Sequence, residues 1–168
     1  GSHKLTKHLI DLGHRNIAHI SGPIDWYESQ KRLAGFKKAL AEKNLKSTKT
    51  YVGDWSAQSG YELTKEIISD KKITAIFAGN DSMALGALKA IHDIGLKVPG
   101  DISLVGFDDL PESRFLTPAL TTARQDFNAV GARALEILID LIERKRSRKS
   151  VAIKPEILIR QSTAKKHE

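Results

Sequence analysis

Short apolar or strand-like runs, each followed by a stretch with helical periodicity, constrain this chain more than any other feature. The runs are NIAHISG, TYVGDW, TAIFAGN and ISLVGF. Strands without polar alternation need cover on both faces, and intervening helices supply it. The pattern therefore predicts an α/β fold, a parallel sheet with helices on both faces. The helical stripes are Leu5, Leu9 and Leu12, stopped by Gly13, then Leu33, Phe36 and Leu40. Ser56 can cap the helix of Tyr61, Thr64, Ile67 and Ile68, and Asn80 or Asp81 that of Met83, Ala87, Leu88 and Ile91. After a loop and LTTARQDF come a long helix from Asn128 to Arg144 and a last strand near Pro155 to Arg160. The first element is a crossover helix with no strand before it, as in a piece of a longer fold.

The 168 residues, 40% of them hydrophobic, suffice for one domain or a compact part of a larger one. No apolar run approaches the ~18 residues of a membrane helix. The absence of cysteine excludes disulfide and thiolate chemistry. Residues 1–3, Gly-Ser-His, read as a cleavage remnant and are set aside. The formal charge of +7 invites a nucleic-acid reading, but much of it sits in RKRSRK, Arg144 to Lys149, with Lys165 and Lys166 near the end. No aromatic residues interleave with that block, and no helix-turn-helix or zinc-finger spacing occurs. A solvated loop and a frayed tail are the expectation.

Ligands of open parallel sheets bind beyond the carboxyl ends of the strands. Past those ends lie Trp26 and Tyr27, then Asp54 and Trp55, Asn80 and Asp81, and Asp108 and Asp109. Carboxylates that accept from hydroxyls, amides that do both, and indole faces that pack on C–H surfaces suit a polyhydroxylated ligand. Each has a plainer reading. Asp81 is read as a helix cap, Asn80 equally as cap or ligand contact, and Trp55 as packing or pocket wall. Arg32, placed at a helix start where the dipole disfavours a cation, is the better ligand candidate.

Catalysis finds less support. There is no G-x-S-x-G elbow, no Gly-rich phosphate loop and no H-E-x-x-H spacing among the six histidines. Asp108 and Asp109 could form a catalytic pair, a magnesium site, a ligand clamp or a turn. Adjacent residues on extended chain point apart, which argues against a shared ion. Asp108 is read as the clamp and Asp109 as the turn residue beside it.

The segments HLIDLGHRNIAHISGP, KRLAGFKKAL, GDWSAQSGYE, TAIFAGNDSMALGALKAI, VPGDISLVGFDD and PALTTARQDF resemble, in order, the effector-binding core of the lactose/galactose-repressor family of bacterial transcription regulators. VPGDISLVGFDD followed by LTT is the specific part; the ND-MALGA element also occurs in periplasmic sugar-binding proteins. The resemblance implies half of a type I periplasmic-binding-protein-like domain. It implies that Arg32 grips effector, that Asn80 and Asp108 contact it, that Trp55 walls the pocket with Phe107 alongside, and, more weakly, that Gln125 joins them. Trp26 is added from its place on the ligand edge. No catalytic role, metal or cofactor is implied. The implied partners are a small-molecule effector, a sugar, operator DNA through a headpiece outside this sequence, and a second subunit contacted through Leu85, Phe115 and Leu116. No membrane is implied, and the location is cytoplasmic.

On this reading residues 4–124 are the C-terminal effector-binding subdomain. Residues 125–150 are a crossover helix that belongs with the N-terminal subdomain, and 151–168 are the final strand and basic tail. With half the cleft outside the sequence, effector binding should be weak or absent. The stripe of Leu135, Leu138, Ile139 and Ile142 should drive self-association, swapping or repacking. The main alternative is a periplasmic sugar-binding protein of a transporter, with a carbohydrate-modifying enzyme a distant third.

Overall fold

The computed structural model describes residues 1–46, 49–143 and 152–166. The elements alternate as the periodicity predicts: α1 (Ser2–Asp11), β1 (Ile17–Ser21), α2 (Tyr27–Ala41), β2 (Thr50–Val52), α3 (Ala57–Ile67), β3 (Ala75–Ala78), α4 (Asp81–Asp93) and β4 (Ser103–Val105). A 3-10 turn at Pro111–Arg114 leads to β5 (Thr122–Arg124), α5 (Phe127–Ile142) and β6 (Glu156–Leu158). The four-stranded sheet has the order β2-β1-β3-β4, and every pair in it is parallel.

Side chains on a strand alternate between faces, and that alternation divides the core in two. Ala18 and Ile20 of β1 join Ile76, Ala78 and Leu104 under α3 and α4, with Ile67, Met83, Ala87 and Ile91. Ile17 joins Ala75, Phe77 and Val105 under α1 and α2, with Leu5, Leu9, Phe36 and Leu40. His19 lies on this second face, stacked on Phe36 at 4.9 Å and edge-on to Phe77 at 5.0 Å. Gly13 ends α1 at φ +97°, a conformation in which a side chain would be strained.

β5 pairs antiparallel with β6 in a separate two-stranded sheet, and isolated bridges join it to the chain at the end of β4: Gly106 donates to the Thr121 carbonyl (2.9 Å) and Asp108 to that of Ala123 (2.9 Å). The last described segment corrects the expectation of a frayed tail. Leu104 donates to the Ser162 carbonyl (2.8 Å), and the Ser162 hydroxyl returns a bond to the Leu104 carbonyl (2.6 Å). Lys166 donates its backbone N–H to Leu12, and His14 Nε2 donates to the Ala164 carbonyl at 3.1 Å. The segment answers backbone groups along β4 that would otherwise be unpaired in the interior. Within residues 1–3, Ser2 is buried in the first turn of α1 and donates its hydroxyl to the Arg32 carbonyl. The Arg144–Lys149 block lies outside the described residues.

Leu85 and Phe115 are exposed, whereas Leu116 turns inward against the α3–α4 core. Repacking of α5 is not what the fold adopts, because Leu135, Leu138, Leu141 and Ile142 all remain exposed, Ile142 at 72%. Burying one such side chain is worth about 1.5–3 kcal/mol, so a face of this size favours association. We expect the chain to self-associate with rising concentration in analytical ultracentrifugation, and Leu138→Glu with Ile142→Glu to reverse it. A wild-type monomer at every concentration would exclude this. No helix among the described residues is long and apolar enough to cross a membrane.

Candidate functional site

Three strand ends and one helix build a cleft of about 220 Å³ lined by Trp26, Glu28, Arg32, Trp55, Asn80 and Asp108. Its centre is a charge pair. Arg32 Nη2 donates to Asp108 Oδ1 at 2.8 Å, and Nη1 donates to the Gly79 carbonyl at the end of β3. The guanidinium lies 4.1 Å from the Phe107 ring centroid and 5.3 Å from that of Trp55, so aromatic faces as well as ion pairing fix its plane. Gln125 Nε2 donates to the same Asp108 oxygen at 2.7 Å.

Asp108 occupies φ +110°, and its Oδ2 has no protein partner among the described residues. Burial raises its pKa; Arg32 and the Gln125 hydrogen bond oppose that without cancelling it. A carboxylate held on one oxygen and open on the other can accept from a ligand hydroxyl. The arginine holds the carboxylate in place.

The aromatic walls meet at an angle. Trp26 and Trp55 stand 6.2 Å apart with ring planes at 60°, and Trp26, at the N-cap of α2, is 55% exposed. Trp55 takes φ +74°, and its ring lies so close to Gly22 that a Cβ there would come within 2.2 Å of it. Asn80 supports this wall: its Nδ2 donates to the Trp55 carbonyl (3.0 Å) while its Oδ1 caps α4 through Met83 N–H (2.8 Å).

Five expected contacts, Trp26, Arg32, Trp55, Asn80 and Asp108, thus converge. Phe107 and Gln125 stand behind them, holding Arg32 and Asp108, and line an adjoining hollow with Tyr27 and Lys31 instead. Glu28 was missed. It lies four residues before Arg32 on α2, the spacing that places two side chains on one helical face, and that was the available signal.

Three sequence expectations are corrected. Arg32 is not at a helix start but in the second turn of α2, which begins at Tyr27; its partners, not the dipole, explain it. Asp81 is not the cap, since Asn80 is. Asp81 is buried and accepts from Leu110 N–H (2.9 Å), Ser113 Oγ (2.6 Å) and Thr122 Oγ1 (2.6 Å), tying α4 to β5 and the 3-10 turn. Burial raises its pKa against those bonds. Asp109 is more than a turn residue: Arg124 Nε (2.7 Å) and Arg160 Nη2 (2.6 Å) both donate to it. Burial opposes its ionisation, but the two arginines outweigh it and hold its carboxyl below the usual range.

The carboxylates of Asp108 and Asp109 therefore engage different arginines and form no dyad. No cluster of three metal-ligating side chains occurs among the described residues. A wider hollow of about 770 Å³ opens beyond Asp109 toward α5. It shares Asp108 with the smaller cleft; its other acids are already committed, Asp109 to the arginines, Glu156 to Arg124 (3.5 Å) and Asp126 to capping α5, and neither tryptophan lines it.

A cleft at the strand ends of a doubly covered parallel sheet, lined by a braced carboxylate and two indoles, defines a small-molecule-binding α/β domain. The chain belongs to the periplasmic binding protein-like domain family, whose model matches residues 6–163. Its homologues are transcriptional repressors rather than enzymes. It is 40% identical over 168 residues to the HTH-type transcriptional repressor PurR of Shigella dysenteriae serotype 1 (strain Sd197), covering 98% of this chain and 49% of that protein. The chain spans about half the length of the curated relatives it matches. Among solved structures it is similar to a Lac repressor dimer bound to operator and the anti-inducer ONPF, with TM-score 0.92 and 35% identity over 98% of this chain and 58% of that one. A LacI family transcriptional regulator from Mycobacterium smegmatis gives TM-score 0.91 and 31% identity, covering 98% and 63% of the two chains. The sheet, its helices and the lactose/galactose-repressor resemblance all agree with these similarities.

Proposed function

We propose that this chain is the effector-sensing part of a cytoplasmic DNA-binding transcriptional repressor, and that its effector is a polyhydroxylated small molecule of the sugar class. The observation that carries the reading is Asp108, braced by Arg32 and Gln125 on one oxygen and open on the other, in a cleft it lines together with Trp26 and Trp55. An open carboxylate accepts from hydroxyls, and the indoles cover the C–H face of a ring. Residues 4–124 form the C-terminal effector-binding subdomain. Residues 125–150 cross toward an N-terminal subdomain, and 151–168 are the final strand and basic tail.

Operator DNA is contacted by a headpiece outside this sequence. A second subunit docks on the face of Leu85 and Phe115, both exposed here. Effector favours one closure state of the two subdomains, and the difference in its affinity for the two states sets the change in operator affinity. The periplasmic alternative is less favoured, because the relatives named above are repressors.

Titration calorimetry with a panel of free sugars tests the reading. This chain alone should bind more weakly than micromolar, because one wall of the cleft lies elsewhere. Asp108→Asn should lower the affinity about 10–100-fold, the usual worth of a charged hydrogen bond. Micromolar binding by this chain, or binding indifferent to Asp108→Asn, would contradict the assignment.

A further inference from the structure

The cleft differs in charge from the chain that carries it. The protein has a formal charge of +7, but the cleft is lined by two carboxylates, Glu28 and Asp108, and one cation, Arg32. Arg32 is matched by Asp108 and also directs an N–H at the Gly79 carbonyl. What remains uncompensated is Glu28, exposed one helical turn before Arg32. Lys31 does not line the cleft: its ammonium lies 5.0 Å from the Tyr27 ring centroid, and although it borders the adjoining hollow together with Glu28, no ion pair joins the two among the described residues.

Helix N-termini are the usual anion-binding elements of such folds, because their free N–H groups and dipoles converge on negative charge. Each of the three that open at this strand edge already has an acid of its own. Glu28 sits in the first turn of α2, which has no side-chain cap. Asp81 sits in the first turn of α4, behind the Asn80 cap. Asp54 precedes the Ser56 cap of α3 and accepts from the Ser56 hydroxyl and backbone N–H; hydrogen bonds from Ser56 and Ser59 hold its pKa down to about 2. A phosphate brought here on a ligand would find each helix dipole already answered.

We propose that the effector is an uncharged polyhydroxyl compound and that Glu28 discriminates against its phosphorylated counterparts. The proposal rests on reading this cleft as the effector site and narrows the chemistry of what enters it. A phosphate monoester facing the Glu28 carboxylate, with Arg32 paired to Asp108, meets repulsion that no other cation lining the cleft offsets. Glu28 is solvent-exposed, so the discrimination is electrostatic, moderate and screened by salt.

The test is a heteronuclear NMR titration of the full 168-residue chain, followed on the two tryptophan indole N–H resonances. The probes are galactose, glucose and their phosphate monoesters, each taken to its solubility limit at low and at high salt. Free sugars should shift the indole signals, and the phosphates should bind about tenfold more weakly at low salt. In Glu28→Gln that ratio should narrow toward one, and in wild type high salt should narrow it as well. Phosphates that bind as tightly as free sugars would overturn the proposal while leaving the polyhydroxyl reading intact. Weaker phosphate binding that Glu28→Gln leaves unchanged would overturn the role given to Glu28. No response to any probe would overturn both the proposal and the site assignment beneath it.

Discussion

Gly86→Ala is expected to lower stability by about 3 kcal/mol or more, read as a fall in Tm of roughly 10 °C by circular dichroism. A Cβ at Gly86 would stand 1.8 Å from the Ala57 carbonyl oxygen and 2.7 Å from the Tyr61 nitrogen. On the facing helix, a Cβ at Gly60 would meet the Met83 carbonyl oxygen at 2.2 Å and its Cα at 2.6 Å. Both obstructions are backbone, so no rotamer change relieves them and α3 must move away from α4. That separation would open the core around Met83, Ala87 and Ile91, all fully buried. It would also shift Asn80, whose amide holds the Trp55 wall of the cleft. Gly131→Ala is the control: nothing lies within 4 Å of its Cβ, and in mid-helix the change should stabilise by about 0.5–1 kcal/mol. A Gly86→Ala variant that melts with wild type would show that the two helices are not in such close contact.

Apolar periodicity made the sheet and its covering helices legible, because it reports directly which faces are buried. Polar side chains with distant partners were not legible in that way. Asp81 sits where an aspartate caps a helix, and cap propensity pointed there. Its actual partners, Leu110, Ser113 and Thr122, lie 29, 32 and 41 residues away and come together only in the folded chain. Ser162 and Ala164 belong to no apolar pattern, yet they line β4 because hydroxyls and backbone groups answer its open edge. In the cleft, the rule that ligands sit beyond strand ends found Trp26, Trp55, Asn80 and Asp108, and the family resemblance gave their roles. Glu28 escaped because it follows no strand directly and is visible only through its helical spacing from Arg32.

Acid should destabilise the fold through His19. The ring is fully buried between Phe36 and Phe77, and neither nitrogen has a hydrogen-bond partner among the described residues. Burial, with smaller contributions from Lys37 and Arg32, lowers its pKa from 6.5 to about 3. The folded state therefore keeps the ring neutral at pH values where the unfolded chain binds a proton. The stability that His19 supports is fully present above pH 6.5 and is lost as pH falls toward 3. Within that window each unit costs ~1.4 kcal/mol. His8 and His14, also lowered mainly by burial, act in the same direction. Asp81 and Asp108 act in the other: their raised pKa values let the folded state bind protons first, which offsets part of the loss once carboxyls begin to titrate. The histidine contribution is thus cleanest between about pH 6.5 and 5. His19→Leu, close in volume and unable to titrate, should flatten the dependence of urea-unfolding stability on pH there by ~1.4 kcal/mol per unit. It should leave stability at neutral pH unchanged or higher, since two unpaired ring nitrogens leave the core. An unaltered slope would mean that His19 takes up its proton in the folded state.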